Sequence, residues 1–217
     1  MSEDDPEFVE ALLAAGNNAT FEGRYAEAEP LLLRALDASG KIHGEKSSQT
    51  LFALTRVCIV SRLLKKFDQA ESTIQKALAI AGECFPDDRL FPWTLENFAL
   101  LREAESKIGE ATEAYERTVA EYERICGFPS YQTAEALYHQ SGFFLRVEDF
   151  GAAEKAIGRA ISVIDTIEGL SDSEKSDYFG TLAAIMKATG RSSEAAETQN
   201  HADRLFQAAN KQDESEE

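Results

Sequence analysis

Two glutamates stand two positions apart in the stretch GRYAEAEPLLLRAL, residues 23–36. A carboxylate pair such as Glu27 and Glu29 can carry out general acid and base chemistry when a shared pocket perturbs both pKa values. The second acid of this pair recurs as Glu71 and Glu154 near the start of later helical stretches, where a carboxylate is favourable against the helix dipole. The recurrence favours a structural role, so we predict no catalytic residues and no enzymatic activity.

The histidines are the next residues that could bind a metal or transfer protons. His43, His139 and His201 lie far apart and occupy different positions in the repeat described below. The sequence holds no HExxH motif, no cluster of Cys and His, and no phosphate-binding loop of the GxGxxG or GxxxxGK[ST] type. We therefore expect no metal and no cofactor.

The three cysteines, Cys58, Cys84 and Cys126, show no CxxC spacing, and their number is odd. This usage suits a reducing compartment better than a disulfide-stabilised fold. Cys58 is expected to be a small packing residue. Cys84 and Cys126 stand in equivalent loops of successive repeats, but a reducing compartment disfavours a disulfide between them.

The composition combines ordinary hydrophobicity with a strong acidic excess. The 217 residues are 43% hydrophobic and 28% charged, with a formal net charge of −17, and the acidic ends, residues 1–8 and 211–217, are interpreted as solubilising. The acidic excess argues against binding nucleic acid or an anionic membrane. No apolar run approaches the roughly 20 residues of a membrane span, and no signal peptide pattern begins the chain. We expect a cytoplasmic protein.

An internal repeat runs through almost the whole chain. An alanine recurs at positions 28, 70, 111, 153 and 195, in steps of 42, 41, 42 and 42 residues. The residue six positions after this alanine is basic in the first four units, where it is Arg34, Lys76, Arg117 and Arg159. Self-similarity at this period is typical of stacked helical repeats.

Each unit contains two stretches in which apolar residues recur at spacings of three and four, as in amphipathic helices. We call the upstream stretch helix A, and the stretch that carries the alanine helix B. One column of helix A holds only small residues, which allow two helices to cross closely: Gly16, Cys58, Ala99, Ser141 and Ala183. The sequence predicts an all-α fold, with a repeat domain over residues 9–210 and units near 9–50, 51–91, 92–133, 134–175 and 176–210.

The last unit differs from the others in the way that a terminal repeat requires. Gln199 and Asp203 replace the apolar residues of the earlier units, which predicts a polar, solvent-facing cap. An armadillo or HEAT-like array, whose period also lies near 40 residues, is the alternative fold.

The pattern resembles the tetratricopeptide repeat, in the 42-residue form of kinesin light chains. The resemblance covers about residues 9–217, includes the string LENFALL (95–101), and in the first unit is carried by Leu12, Gly16, Tyr25, Ala28, Leu32 and Ala35. It implies a right-handed α-solenoid of five helix-turn-helix repeats. It also implies a scaffold function, because this family binds many different protein partners.

In that family, helices A line the concave surface, where partners commonly bind. The resemblance therefore implies partner-binding positions on helices A, of which we select Asn17, Thr55, Arg56, Arg62, Asn97, Tyr138 and His139. Asn97 stands where kinesin-light-chain-like repeats carry an asparagine that contacts partner backbone. A regular asparagine ladder and the two-carboxylate clamp of some cochaperones are not matched, since Leu13 stands at a clamp lysine position.

A local basic stretch interrupts the acidic chain. Residues 46–67 hold five basic residues and no acidic one: Lys46, Arg56, Arg62, Lys65 and Lys66. One interpretation is a solvated helix face. The other is a basic pocket in which Arg56 and Arg62 bind an acidic segment or a C-terminal carboxylate of a partner. Docking of the tail 211–217 into this stretch of a second copy would give a homo-oligomer.

The sequence thus predicts a non-catalytic scaffold or adaptor that binds a protein or peptide segment in the concave groove. Two alternatives stay open: a regulatory module that senses a peptide or another ligand, and a secretion-type chaperone. The identity of the partner does not follow from the sequence.

Overall fold

The computed structural model describes residues 6–216, with the side chains of residues 6–208. Residues 1–5 of the predicted acidic segment, and the side chains of the predicted tail 211–217, lie outside the described residues. The described part contains no strand and consists of ten helices: α1 (Pro6–Phe21), α2 (Tyr25–His43), α3 (Ser48–Leu63), α4 (Phe67–Cys84), α5 (Leu90–Ala104), α6 (Ile108–Cys126), α7 (Tyr131–Arg146), α8 (Phe150–Ile164), α9 (Asp172–Ala188) and α10 (Ser192–Glu216).

The chain divides into two compact units, Met1–Thr118 and Val119–Glu217. In unit 1, α1 packs on α2 and α3 packs on α4, while α3 also contacts the preceding hairpin and α5 contacts α3 and α4. In unit 2, α7 packs on α8 and α9 on α10, and α9 also contacts α7 and α8. Helices A and B therefore alternate along the chain, which confirms the predicted all-α fold of helical hairpins.

The two packing columns read from the sequence lie in the core. The recurring alanines at 28, 70, 111 and 153 have no exposed surface, and the small-residue column is buried in all five repeats. A Cβ on Gly16 would lie 2.7 Å from Leu32 Cδ2, so this glycine is required for the close approach of α1 and α2. The predicted polar cap is also present, since Gln199 and Asp203 are exposed on α10 and hydrogen-bonded to each other.

The turn before every helix B contains one residue in the left-handed conformation. This residue is glycine in the first and last hairpins, where Gly23 has φ 75° and Gly190 has φ 81°. In the three middle hairpins it is Lys65, Ser106 or Glu148, with φ between 59° and 63°. A side chain at positive φ costs about 1–2 kcal/mol, so the middle turns carry backbone strain.

The acids that follow the recurring alanine form ion pairs with the next hairpin. Glu29 binds Lys66 Nζ at 2.6 Å, Glu71 binds Arg102 at 2.7 Å, and Glu154 binds Arg191 at 2.7 Å. These contacts lie within unit 1 for the first two pairs and within unit 2 for the third. These glutamates therefore fix the register of successive hairpins, in addition to their favourable interaction with the helix dipole.

Candidate partner-binding surface

Helix α3 keeps one face open to solvent, while its other faces are buried between neighbouring helices. The open face contains Phe52, Arg56, Ile59 and Arg62, which are half-buried and follow one another at spacings of four and three. The adjacent helix α5 presents Trp93 and further half-buried residues in the same way. We call the open faces of α3 and α5, together with the half-buried Asn17 on α1, the A-face of unit 1.

An arginine and two aromatic rings form the centre of the A-face. The Phe52 and Trp93 rings stack with their centroids 5.3 Å apart and an interplanar angle of 18°. The Arg56 Cζ atom lies 4.8 Å from the Phe52 centroid and 5.6 Å from that of Trp93, within the range of a cation–π interaction. Burial against these rings lowers the pKa of Arg56, which nevertheless stays cationic because arginine titrates far above neutral pH.

Arg62 follows Arg56 by six residues, which is about 9 Å along the axis of the same helix. The Nε atoms of both arginines are shielded from solvent and have no hydrogen-bond partner. Within the described part of the chain, neither arginine forms an ion pair with a carboxylate. The A-face therefore presents two cationic groups whose charge the described side chains leave unpaired.

The buried Arg102 of α5 differs from both because carboxylates surround it, although its Nε, like theirs, forms no hydrogen bond of good geometry. Its guanidinium lies 2.7 Å from Glu71, 2.6 Å from Glu105 and 2.8 Å from Glu110. The neighbouring carboxylates outweigh the effect of burial and raise its pKa. Arg102 is thus held by the fold itself, in contrast to Arg56 and Arg62.

The lysines of the basic stretch 46–67 do not join the arginines. Lys46 pairs with Glu83 at 2.5 Å, and Lys66 pairs with Glu29. Lys65 is exposed in the strained turn before α4. The basic stretch therefore separates into lysines that pair or face solvent and two arginines on the A-face.

Two of the sequence-selected residues are buried instead of open. Thr55 has no exposed surface, and its hydroxyl donates to the Leu51 carbonyl oxygen at 3.0 Å. Asn97 is 5% exposed, and its Nδ2 donates to the Trp93 carbonyl oxygen at 2.8 Å. Neighbouring helices cover these positions, so a partner could reach neither side chain without displacing part of the core.

The remaining selected residues divide between the two units. Asn17 on α1 is half-buried in unit 1, and its Oδ1 is shielded without a hydrogen-bond partner. Tyr138 and His139 lie on α7 in unit 2, with ring centroids 5.6 Å apart. Asn17, Arg56 and Arg62 thus lie on helices A of unit 1, and Tyr138 and His139 lie on a helix A of unit 2.

Sequence reasoning did not select Phe52 and Trp93 as site residues. Aromatic residues in an amphipathic stretch are usually core residues, and these two are interpreted in that way unless their columns are compared. They occupy equivalent positions, six residues before Cys58 and Ala99 of the small-residue column, and Phe52 stands four residues before Arg56. Two aromatic residues in the same column of successive repeats, with an arginine one helical turn after the first, were the sequence signal from which this site could have been predicted.

Comparison with known proteins gives the class of fold. Residues 8–83 match the family model of the tetratricopeptide repeat. The crystal structure of BtubC (BKLC) from P. vanneervenii has a TM-score of 0.79 at 20% sequence identity, covering 93% of this chain and 81% of that chain. Nearly identical TPR-like repeats of kinesin-light-chain type from P. anserina give 0.74 at 14% identity, with 93% and 96% covered.

A further similar structure is that of a protein named as a phosphatase. Aspartyl phosphate phosphatase F from Bacillus subtilis has a TM-score of 0.63 at 14% identity, covering 93% of this chain and 60% of that chain. No curated protein matches the sequence. Residues 8–83 therefore match the tetratricopeptide repeat in sequence, and the fold of the chain is that of kinesin-light-chain-like tetratricopeptide repeats, as predicted; this fold generally mediates protein–protein interactions.

The described residues were searched for metal sites and for membrane spans. These residues contain no group of three or more His, Cys, Asp or Glu side chains placed to hold a metal ion. None of their helices has both the length and the apolar character that crossing a membrane requires.

Proposed function

We propose that the chain is a non-catalytic scaffold whose A-face in unit 1 binds an extended, acidic segment of a partner protein. The observation that carries this proposal is the pair Arg56 and Arg62, which are partly buried yet lack a carboxylate partner in the described residues. Partial burial has a desolvation cost for a charged group, and a carboxylate supplied by a partner would offset it.

The chemistry of the A-face indicates what the segment should contain. A guanidinium binds a carboxylate with two parallel hydrogen bonds, so Arg56 and Arg62 suit an aspartate, a glutamate or a C-terminal carboxylate. Phe52 and Trp93 hold the Arg56 guanidinium in place, which reduces the entropy lost on binding. The half-buried Ile59 between the arginines suits an apolar side chain of the same segment.

A charge-reversal experiment tests this function. The tagged chain is used to capture partners from a lysate, which mass spectrometry identifies, and the capture is repeated with the Arg56→Glu/Arg62→Glu variant. Lys76→Glu on α4 is the matched control, because Lys76 is exposed on helix B of the same hairpin. Circular dichroism verifies that each variant is folded.

The proposal expects a specific partner to be lost with the double variant and retained with Lys76→Glu. A synthetic peptide from that partner should compete for binding only while its acidic residues are intact. Unchanged capture by the folded double variant would contradict the proposal. If removing the acidic residues from the peptide has no effect, the acidic chemistry is wrong even where the scaffold function holds.

A regulatory module that senses a peptide or another ligand is the alternative, and it would use the same A-face. A thermal shift series with short acidic peptides separates the two functions. A sensor should be stabilised by a small free ligand, whereas an adaptor should respond to its protein partner. Self-association through residues 211–217 is tested separately by comparing the light-scattering mass of the full chain with that of a chain ending at residue 210.

A further inference from the structure

Arg56 and Arg62 lie on opposite edges of the open face of α3. An α-helix turns by about 100° per residue, so a separation of six residues places the two side chains about 120° apart around the helix axis. Ile59 lies midway between them, about 60° from each arginine, and is half-buried like both of them. The open face of α3 therefore has an apolar centre with one guanidinium at each edge.

The ring contacts of Arg56 identify the two edges. Its Cζ atom lies 5.6 Å from the Trp93 centroid, so Arg56 occupies the edge of α3 that is next to α5. The same atom lies 4.8 Å from the centroid of Phe52, which precedes Arg56 by one helical turn. The rings thus hold the Arg56 guanidinium towards the start of α3 and towards α5, whereas Arg62 lies further along α3 on the edge remote from α5.

The two arginines are therefore separated in two directions. Six residues rise by about 9 Å along the helix axis, and 120° at the 5–6 Å radius of a helix with its side chains corresponds to about 9–10 Å across the face. A segment that passes over Ile59 has one arginine on each side, whether it runs parallel to α3 or across it. In both cases the arginines are displaced from each other along the segment by about 9–10 Å.

Two carboxylates are needed to satisfy both groups. The Nε atoms of Arg56 and Arg62 are shielded from solvent, which leaves the Nη groups to donate two hydrogen bonds to a carboxylate. The rings hold Arg56 at one edge and Arg62 stands at the other, so one carboxylate does not reach both. A partner segment that binds both arginines must therefore contain two acidic groups.

The geometry of an extended chain fixes the spacing of these acids. Successive side chains of an extended chain point to opposite sides, and the chain advances about 3.3 Å per residue. Acids two positions apart point to the same side, and adjacent acids are displaced by only about 3.3 Å along the segment. Acids three positions apart point to opposite sides and are displaced by about 10 Å, which matches the two arginines.

We propose that the partner segment carries two acidic residues three positions apart, one for Arg56 and one for Arg62, with an apolar residue between them over Ile59. Ile59 keeps part of its apolar surface open to solvent between the arginines, and an apolar side chain of the segment would cover it. This inference rests on the proposed function, since it concerns the same face, and it adds the sequence pattern acid–x–x–acid of the partner.

The test uses three dye-labelled peptides of identical composition, length and charge, each with an amidated C-terminus so that the aspartates supply the only carboxylates. Gly-Gly-Asp-Leu-Leu-Asp-Gly-Gly has the acids three positions apart, Gly-Gly-Asp-Leu-Asp-Leu-Gly-Gly has them two apart, and Gly-Gly-Leu-Asp-Asp-Leu-Gly-Gly has them adjacent. In fluorescence anisotropy titrations with the full chain, the first peptide should bind at least about fivefold more tightly, because it alone engages both arginines. Equal affinities, or tighter binding of either isomer, would overturn the inference.

Variants show whether the preference comes from the two arginines. Arg62→Gln leaves one arginine, so the three peptides should bind this variant with nearly equal affinities. Lys76→Gln removes an exposed charge from helix B of the same hairpin and should keep the preference of the native chain. Circular dichroism establishes that both variants are folded. A preference for the first peptide that persists in folded Arg62→Gln would contradict the inference.

The same titrations distinguish the spacing from the proposed function. Suppose that the native chain binds the three peptides equally and the folded Arg56→Gln/Arg62→Gln variant binds them more weakly. The spacing is then wrong, while the acidic binding surface stands. Peptides that bind the native chain and this double variant alike overturn both. If none of the peptides binds, the spacing is overturned and the capture experiment decides the proposed function.

Discussion

The helices A of unit 1 and unit 2 share a packing frame and differ in the chemistry of their open faces. In both units the recurring alanine and the small-residue column are buried. On the open faces, unit 1 presents Arg56 against Phe52 and Trp93, while unit 2 presents Glu135 between Tyr131 and Tyr138. A repeat can therefore keep its fold through a few small and apolar residues and vary the side chains of its open face through a few others.

The largest effect is expected in the shared frame, where the two units should respond alike. Ile74 in unit 1 and Ile157 in unit 2 occupy equivalent positions, and neither has exposed surface. Replacing either isoleucine by alanine should lower the free energy of unfolding by about 2–5 kcal/mol, from lost burial and the cavity left behind. Urea denaturation measures the change, and a loss below about 1 kcal/mol in either variant would show that the frames are not equivalent.

The next effect separates the buried arginine of α5 from the arginines of the open face. Arg102→Ala should destabilise the chain by about 2 kcal/mol, because Glu71, Glu105 and Glu110 lose their cation while staying partly exposed. Arg62→Ala should change stability by less than about 0.5 kcal/mol, since no described carboxylate depends on it. Equal losses in the two variants would contradict the distinction between a structural and a binding arginine.

A smaller effect compares two turns of the same unit. Gly190→Ala should destabilise the chain by about 1 kcal/mol, because alanine is strained at φ 81°. Glu148→Gly should be neutral or stabilise by up to about 1 kcal/mol, since it relieves strain at φ 63°. Chemical denaturation of both variants checks the signs, and a marked loss of stability in Glu148→Gly would show that the Glu148 side chain is needed for another reason.

The smallest effect is a pH dependence of the ion pairs between hairpins in unit 1. Burial alone would raise the pKa of Glu71, but hydrogen bonds from Arg102 and Gln75 outweigh it and leave the pKa below the usual value of 4.5. The stabilisation is therefore fully present above about pH 4.5 and is lost as the pH falls through the lowered pKa. Between pH 5 and pH 3 the native chain should lose more stability than Glu71→Gln, and parallel curves would contradict this assignment.

The sequence predicts the repeat and its packing columns because burial recurs at a fixed period. That period alone was enough to predict the buried alanines at 28, 70, 111 and 153 and the small residues from Gly16 to Ala183. The period also indicates which helix faces a partner could reach, but it does not show how far a neighbouring hairpin covers each face. Thr55 and Asn97 are buried for that reason, although they stand next to open positions.

The repeat pattern did not predict the contacts between hairpins either. The pairs Glu29 with Lys66 and Glu154 with Arg191 join residues 37 positions apart. The stacking of Phe52 on Trp93 joins two helices A. Such contacts depend on the side-to-side register of helices, which a single sequence does not encode locally. The selection of Arg56 and Arg62 needed only their charge and their place on helix A, and both are half-buried on the open face.

The most direct measurement titrates the full chain and its Arg56→Gln/Arg62→Gln variant against one dye-labelled acidic peptide from a captured partner, by fluorescence anisotropy, with Glu135→Gln as the second variant. The arginine variant should bind at least about tenfold more weakly, because each charge-assisted hydrogen bond contributes about 1.5–3 kcal/mol, and Glu135→Gln should bind as the native chain does. Equal affinities of the native chain and the folded arginine variant would contradict the assignment of the A-face of unit 1 as the binding surface for an acidic partner.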